Sequence, residues 1–403
     1  MTRFAVPILA VFLALAACPP KTSALDADRV VLLIIDGLRA SEGLEDPDHA
    51  HIPDIWNTLR PQGFVSHAFY NNHVTSTMPG HATLAAGTAV TLPNDGSERP
   101  DRALLWEILR RRTGLPAEKT LLVATKEKLG ALSYSEGAGY GMDDSATVLV
   151  DSTFTDEDVV ESFKSYAEVQ QPVLSLVSLG HVDIAGHTGS WVDYVSAIET
   201  ADRLALELWE WIQSDPFYSG RTAFFITSDH GRHTDDWTSH GDGCIGCRRI
   251  PLVALGPDIQ PGVESDGPAD LRDLGVTAAS FFGLQIPGAD GRYLGEMMAG
   301  GAASAEIAGG PASEGSLRIW PVPARDVAYA RSLRPLRGTW RLGVYTVQGR
   351  RIFEETVSGA QLESGLGILR SYGAIESRVS YVYLTLVEGA KEPTFSASIL
   401  WLR

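Results

Sequence analysis

The sequence predicts an α/β sandwich on a mostly parallel central sheet, followed by a small β-rich domain, and three observations predict it. From residue 29 onward, apolar runs of strand length alternate with amphipathic stretches of helical length. That alternation needs crossover helices, and hence parallel strands covered on both faces. Several of the runs end directly in Asp, His and Gly, at the carboxyl edge where such sheets hold ligands. Beyond residue 316 the pattern changes to short alternating runs separated by glycine and charge, which is all-β punctuation.

Residues 1–18 come first. Thr2 and Arg3 precede FAVPILAVFLALAA, an apolar run of 14 residues interrupted by Pro7. It is short for a bilayer span and suits a signal peptide. The run closes on Leu15-Ala16-Ala17-Cys18, which resembles the bacterial lipobox, with Cys18 as the lipidated first residue of the mature chain. The expectation is a protein exported to the bacterial cell envelope, facing the periplasm and held to a membrane by acyl chains. Pro19 stands where Asp would signal inner-membrane retention, which weakly favours the outer membrane.

A catalytic domain over 29–297 follows. VVLLIID (30–36) is continuous enough for a central strand, and TLLVAT (120–125), PVLSLVSLG (172–180), TAFFITSD (222–229) and IPLVALG (250–256) are further strands. RALLWEILRRR and YVSAIETADRLALELWEWIQ read as helices. TSTMPGH (75–81) opens another, with Ser or Thr as N-cap and proline in the first turn, ending near Gly87. The Gly-, Ala- and Ser-rich stretch 298–316 reads as a flexible linker. Residues 317–403, with WRLGVYTV, YVYLTLV and FSASILWL, read as a small β-sandwich-like domain with no chemistry of its own.

Charge and cysteine usage exclude some functions. A net charge of −17 over 403 residues, with no long basic run, argues against nucleic acid as a partner. Lipidation of Cys18 leaves Cys244 and Cys247 in CIGC. In an exported protein the simplest reading is a local disulfide. A redox motif or an extra metal site stays open, although one C-x-x-C supplies only half of a four-ligand structural zinc site.

Acids and histidines recur at strand ends: Asp36 in IIDGLR, Asp183 and His187 in HVDIAGHTG, Asp229 and His230 in TSDHGRH, and His240 in TSHGDG. Together these motifs, over about residues 29–295, resemble the alkaline phosphatase superfamily of phosphatases, nucleotide pyrophosphatases/phosphodiesterases, sulfatases and sugar-phosphate mutases. The resemblance implies that family's α/β/α sandwich and two metal ions. Asp36, Thr77, Asp229 and His230 would surround one, and Asp183, His187 and His240 the other. TMPGH resembles the Thr-Phe-Pro-Asn-His nucleophile motif of the pyrophosphatase/phosphodiesterase branch, which selects Thr77 over Thr75 and Ser76. A divalent cation makes such a hydroxyl an alkoxide near neutral pH, and a helix N-terminus favours the phosphoryl group. Mixed nitrogen and oxygen ligands suit zinc without excluding manganese.

Departures from the family narrow the choice. Sulfatases need C/S-x-P-x-R where this chain has Thr77-Met78-Pro79-Gly80-His81, which argues against that branch. The gap from His230 to His240 is short, closer to the mutases than to the phosphodiesterases. Lys126 and Lys128 resemble a Lys-x-Arg segment that some alkaline phosphatases use against monoester oxygens. Asn94 is a candidate oxygen-binding amide, with turn formation as its competing role, and His81 and His233 are candidate orienting groups. The expected function is a two-metal phosphoester hydrolase acting on a phosphorylated small molecule, lipid or sugar through a phosphothreonine at Thr77, with monoesters slightly ahead of diesters. A phospho-group transferase and a non-catalytic surface-binding lipoprotein are the alternatives.

Overall fold

The computed structural model describes residues 25–299 and, of the remainder, the backbone of seven strands between Leu317 and Leu400. The leader, Cys18 and most of the expected linker lie outside the described residues. No helix among the described residues is long and apolar enough to cross a membrane.

Ten strands form in the first unit: β1 (Arg29–Ile35), β2 (Phe64–Ser66), β3 (Phe69–Tyr70), β4 (Thr120–Ala124), β5 (Thr147–Val150), β6 (Leu174–Leu179), β7 (Thr222–Thr227), β8 (Leu252–Leu255), β9 (Val263–Ser265) and β10 (Ala269–Asp270). Eight of them make one sheet in the order β5-β4-β6-β1-β7-β8-β2-β9. The block from β5 to β7 is parallel, and β8 runs antiparallel to both of its neighbours. The expected alkaline-phosphatase-like sandwich on a mostly parallel sheet is the observed architecture.

Seven helices accompany the sheet: α1 (Thr77–Ala86), α2 (Leu105–Thr113), α3 (Asp156–Gln170), α4 (His181–Thr188), α5 (Trp191–Ser214), α6 (Ile245–Arg248) and α7 (Leu271–Ser280). Because side chains alternate along a strand, β1 feeds two cores. Val30, Leu32 and Ile34 join α1, α2 and α7 on one face, whereas Val31, Leu33 and Ile35 join α3 and α5 on the other. The continuous apolar run at 30–35 is therefore the consequence of burial on both faces.

β1 is the switch point, with β6 on one side and β7 on the other. Ile34 is level with Ser178 and with Thr227, so Asp36, the Gly180-His181 turn and the Ser228-Asp229 turn emerge together. The first unit extends past the expected boundary at 297, since Met298 is fully buried and bridges to Ile259. Beyond it, β11 (Leu317–Trp320), β12 (Val327–Ser332) and β15 (Leu366–Leu369) form one antiparallel sheet. β13 (Thr339–Thr346), β14 (Arg351–Ser358), β16 (Val379–Leu386) and β17 (Thr394–Leu400) form another.

Candidate active site

The three hydroxyls of TSTMPGH have separate fates. Ser76 is the N-cap of α1 in extended conformation, with no side-chain cap bond. The Thr75 carbonyl oxygen lies 3.1 Å from His240 Nδ1, which locates that ring. Thr77, first residue of the helix and 1 % exposed, has its hydroxyl 3.3 Å from the Lys126 ammonium. A side chain at Gly80 would collide with Asp229, its Cβ lying 2.7 Å from the Asp229 carbonyl oxygen. The glycine therefore lets the start of α1 lie directly against the end of β7.

Asp36, Asp229 and His230 are buried, and Asp183 nearly so. His230 Nε2 lies 3.5 Å from Asp36 Oδ1 and 3.4 Å from Asp229 Oδ2. Its Nδ1 is 2.8 Å from the Gly231 carbonyl, a contact that fixes the ring with Nε2 toward the carboxylates. His187 Nε2 and His240 Nε2 stand 3.1 Å apart, within 3.4 and 3.5 Å of Asp183 Oδ1. Asp36 Oδ1, Asp229 Oδ2 and His230 Nε2 are buried without hydrogen-bond partners, and Asp36 Oδ2 is met only by the Lys126 ammonium. Orphaned acceptors on this scale carry a large desolvation cost, and a divalent cation is the group that removes it. The donor set therefore fits metal. Asp183, His230 and His240 converge within 4.8 Å, as do Asp36, His81 and Asp229, so His230 stands between the expected ligand groups.

Besides lying 3.3 Å from the Thr77 hydroxyl, the Lys126 ammonium is 2.8 Å from Asp36 Oδ2 and 2.7 Å from Asp183 Oδ2. Burial works against that charge, but the Asp36, Asp183 and Asp229 carboxylates outweigh it and raise Lys126 above the usual lysine range. Burial, reinforced by Asp229, raises Asp36. For Asp183, burial is overcome by hydrogen bonding to His187 and by the Lys126, His230 and Arg232 charges, which hold its carboxyl well below the ordinary range. Burial depresses His240 to about 4, so its ring is neutral at pH 7.

Asn94 and Lys128 lie at the start of α1. Asn94 Oδ1 accepts from the Met78 amide at 2.8 Å and from Lys128 Nζ at 3.3 Å. His81 Nδ1 lies 2.9 Å from the Thr77 carbonyl and Nε2 3.0 Å from Ser178 Oγ. His233 Nε2 faces Asp242 at 3.4 Å. Cys244 and Cys247 are free thiols rather than the expected disulfide. Each sulfur has its own partner, Cys244 accepting from Thr234 Oγ1 at 3.7 Å and Cys247 donating to Asp242 Oδ1 at 3.3 Å. Burial also pushes the Cys247 thiol up to about 12.

Sequence reading missed Arg232. This arginine is fully buried and donates to Asp183 Oδ1 at 2.5 Å, to the Thr238 carbonyl at 2.9 Å and to the Trp237 carbonyl. It ties the Asp183 carboxylate to the loop carrying His240. Asp156 was also missed; its Oδ1 accepts from Gly180 N at 2.9 Å and Thr125 Oγ1 at 3.1 Å, locking the ends of β4 and β6 together.

Comparisons with known proteins find the same fold. A family described as the metalloenzyme superfamily matches residues 136–286. An inactive variant of murine ectonucleotide pyrophosphatase/phosphodiesterase 5, in complex with AMP, superimposes with a TM-score of 0.52 at 12% identity, over 68% of this chain and 100% of its own. A protein in the alkaline phosphatase superfamily from Vibrio parahaemolyticus gives 0.50 at 12% identity, over 91% of this chain and 81% of its own. The family match covers under half of the chain, and the structural likeness shows a shared fold. Among curated relatives, GPI ethanolamine phosphate transferase 1 of Neurospora crassa is 28% identical over 284 residues, covering 62% of this chain and 28% of that protein. The chain thus spans under a third of the length of that transferase. Phosphopentomutase of Desulfitobacterium hafniense is 26% identical over 191 residues, 45% of each chain.

Proposed function

We propose that this protein is a member of the alkaline phosphatase superfamily and a phosphoester hydrolase that cleaves phosphorylated small molecules, lipids or sugars through a phosphothreonine at Thr77, with monoesters slightly ahead of diesters. The observation that carries the reading is the setting of Thr77, a buried hydroxyl at a helix start, 3.3 Å from the ammonium that also meets Asp36 and Asp183. Two divalent ions, zinc by donor chemistry, would be held by Asp36, Thr77, Asp229 and His230 and by Asp183, His187 and His240. When bound, they supply Lewis acidity and neutralise the charge of the reacting phosphoryl group.

The chain's own groups perform the rest. The positive end of the α1 dipole favours an anion at Thr77. Asn94 and Lys128 stand at the same helix start and supply an amide and an ammonium for the non-bridging oxygens. The Thr77 Oγ–phosphorus bond forms as the bond to the leaving oxygen breaks, the hydroxyl proton passing to solvent and the leaving oxygen taking one up. Water then releases phosphate and restores the hydroxyl. Lys128→Ala should reduce monoester turnover more than diester turnover.

Transfer to an alcohol in place of water is the second reading, favoured by the transferase names of the curated relatives. Lipid anchoring at Cys18 in the envelope is part of the proposal, and incorporation of labelled fatty acid that persists in Cys18→Ser would refute it. The functional test incubates the zinc-reconstituted protein with aryl phosphate monoester, diester and sulfate, with and without an alcohol acceptor, beside Thr77→Ala and chelated controls. Free phosphate as the main product supports hydrolysis, and a phosphorylated acceptor supports transfer. Metal binding without turnover of any ester points instead to a binding scaffold.

A further inference from the structure

Cys244 and Cys247 have no part in the phosphoester chemistry, yet they sit in a cluster of their own. His233 Nε2, Asp242 and Cys247 Sγ offer donor atoms that all lie within 4.8 Å of one another. Asp242 Oδ1 is 3.4 Å from His233 Nε2 and 3.3 Å from Cys247 Sγ. His233 Nε2 is withdrawn from solvent and makes no hydrogen bond. Cys244 caps the single turn α6 that carries Cys247, and its amide donates to the same Asp242 oxygen at 2.9 Å. A C-x-x-C pair alone is half of a tetrahedral site. The fold supplies an imidazole and a carboxylate for the other half.

We propose that His233, Asp242, Cys244 and Cys247 bind a structural divalent cation, zinc by its preference for thiolate and imidazole, at a site separate from the Thr77 cluster. On binding, two sulfur–metal bonds form and the two thiol protons leave to solvent, with no change of oxidation state. The surroundings show what such a cation would hold. Gly231 N donates to the Cys247 carbonyl at 2.7 Å and Gly246 N to Thr234 Oγ1 at 3.1 Å. A Cβ at Gly246 would meet the Arg232 carbonyl oxygen at 2.5 Å, so the two segments lie backbone against backbone. His233 and Asp242 flank His240 in the chain. A cation joining them to the cysteine turn closes the loop that presents His240 beside Asp183 and restricts its motion.

Cobalt(II) distinguishes this site from the nitrogen and oxygen donors around Thr77, because only thiolate gives a sulfur-to-cobalt charge-transfer band. Protein purified under reducing conditions and loaded with cobalt should show the band. It should disappear in Cys244→Ser and Cys247→Ser, persist in Thr77→Ala, and accompany one more bound cation than in Cys247→Ser. X-ray absorption of the zinc-loaded wild type, which needs no variant to fold, should show sulfur at about 2.3 Å. Absence of the band together with zinc lacking a sulfur shell overturns the proposal. So does a native protein whose thiols are joined as a disulfide and which takes up no sulfur-bound metal after reduction.

Discussion

Gly186→Ala isolates the role of Arg232. On helix propensity alone, alanine within α4 should be more stable by up to about 1 kcal/mol. The structure predicts the opposite sign. A Cβ at Gly186 would lie 2.7 Å from both Nε and Nη2 of Arg232 and closer still to Cζ. Ordinary carbon contacts are about 3.5–4.0 Å, so the guanidinium would have to retreat by about 1 Å. Its bonds to Asp183, Trp237 and Thr238 leave it nowhere to go. Overpacking costs about 1–3 kcal/mol, and each weakened charged hydrogen bond adds up to about 1.5–3 kcal/mol. Against the propensity gain, a net loss of about 2–4 kcal/mol follows, or a fall in Tm on the order of 5–10 °C. Urea unfolding gives the first quantity and a thermal scan the second, with turnover measured on the same samples. Gly189→Ala is the control, since Gly189 has a positive φ of 76° but nothing within 4 Å; it should cost only about 1–2 kcal/mol of backbone strain and leave turnover intact. Gly186→Ala as stable and as active as wild type would refute the claim that Arg232 fixes the Asp183 carboxylate.

Other groups give sharper dependence on metal and pH. Lys126→Met removes the ammonium from between Asp36 and Asp183, so chelated protein should lose about 3–5 kcal/mol and zinc-loaded protein much less; equal losses in the two urea titrations would contradict the site assignment. Because the folded state raises the Lys126 pKa, the stabilisation in chelated protein is fully present below the unfolded value of about 10.4 and is lost only as pH rises through the higher folded value. Burial raises Asp202 to about 6, despite donation from the Asp54 and Ile55 amides. The folded state thus holds this proton more tightly than the unfolded state does. Its contribution is greatest below about pH 4 and is lost as pH rises to about 6. The stability of wild type relative to Asp202→Asn should therefore fall by on the order of 1–2 kcal/mol over that window after discounting for partial exposure, and parallel stability profiles would show otherwise.

Much of the first unit is legible from local pattern. Apolar runs match strands within one or two residues at 29–35, 120–124, 174–179, 222–227 and 252–255, because burial on both faces leaves few polar positions inside them. Strand ends then bring Asp36, Asp183, Asp229 and His230 together without further information. What the pattern could not reveal depends on loops folding back. Arg232 is one arginine in a polar segment, and only the return of residues 237–238 makes it a buried partner of Asp183. Asn94 reaches Met78 across an irregular loop that has no periodicity. Lys126 has the residue type of a phosphate ligand, and no local pattern shows that it also meets the Asp36 and Asp183 carboxylates. Met298 looks like the start of a linker because its neighbours are small, although its own side chain completes a core.

The most direct measurement is acid quenching of the zinc-loaded protein during turnover of an aryl phosphate, followed by mass spectrometry of the peptide that contains residues 75–81. The account predicts one phosphoryl group on Thr77 during turnover, and neither phosphorylation nor turnover in Thr77→Ala or in chelated protein. Turnover that continues in Thr77→Ala, or a phosphoryl group on Thr75 or Ser76 instead, would contradict it.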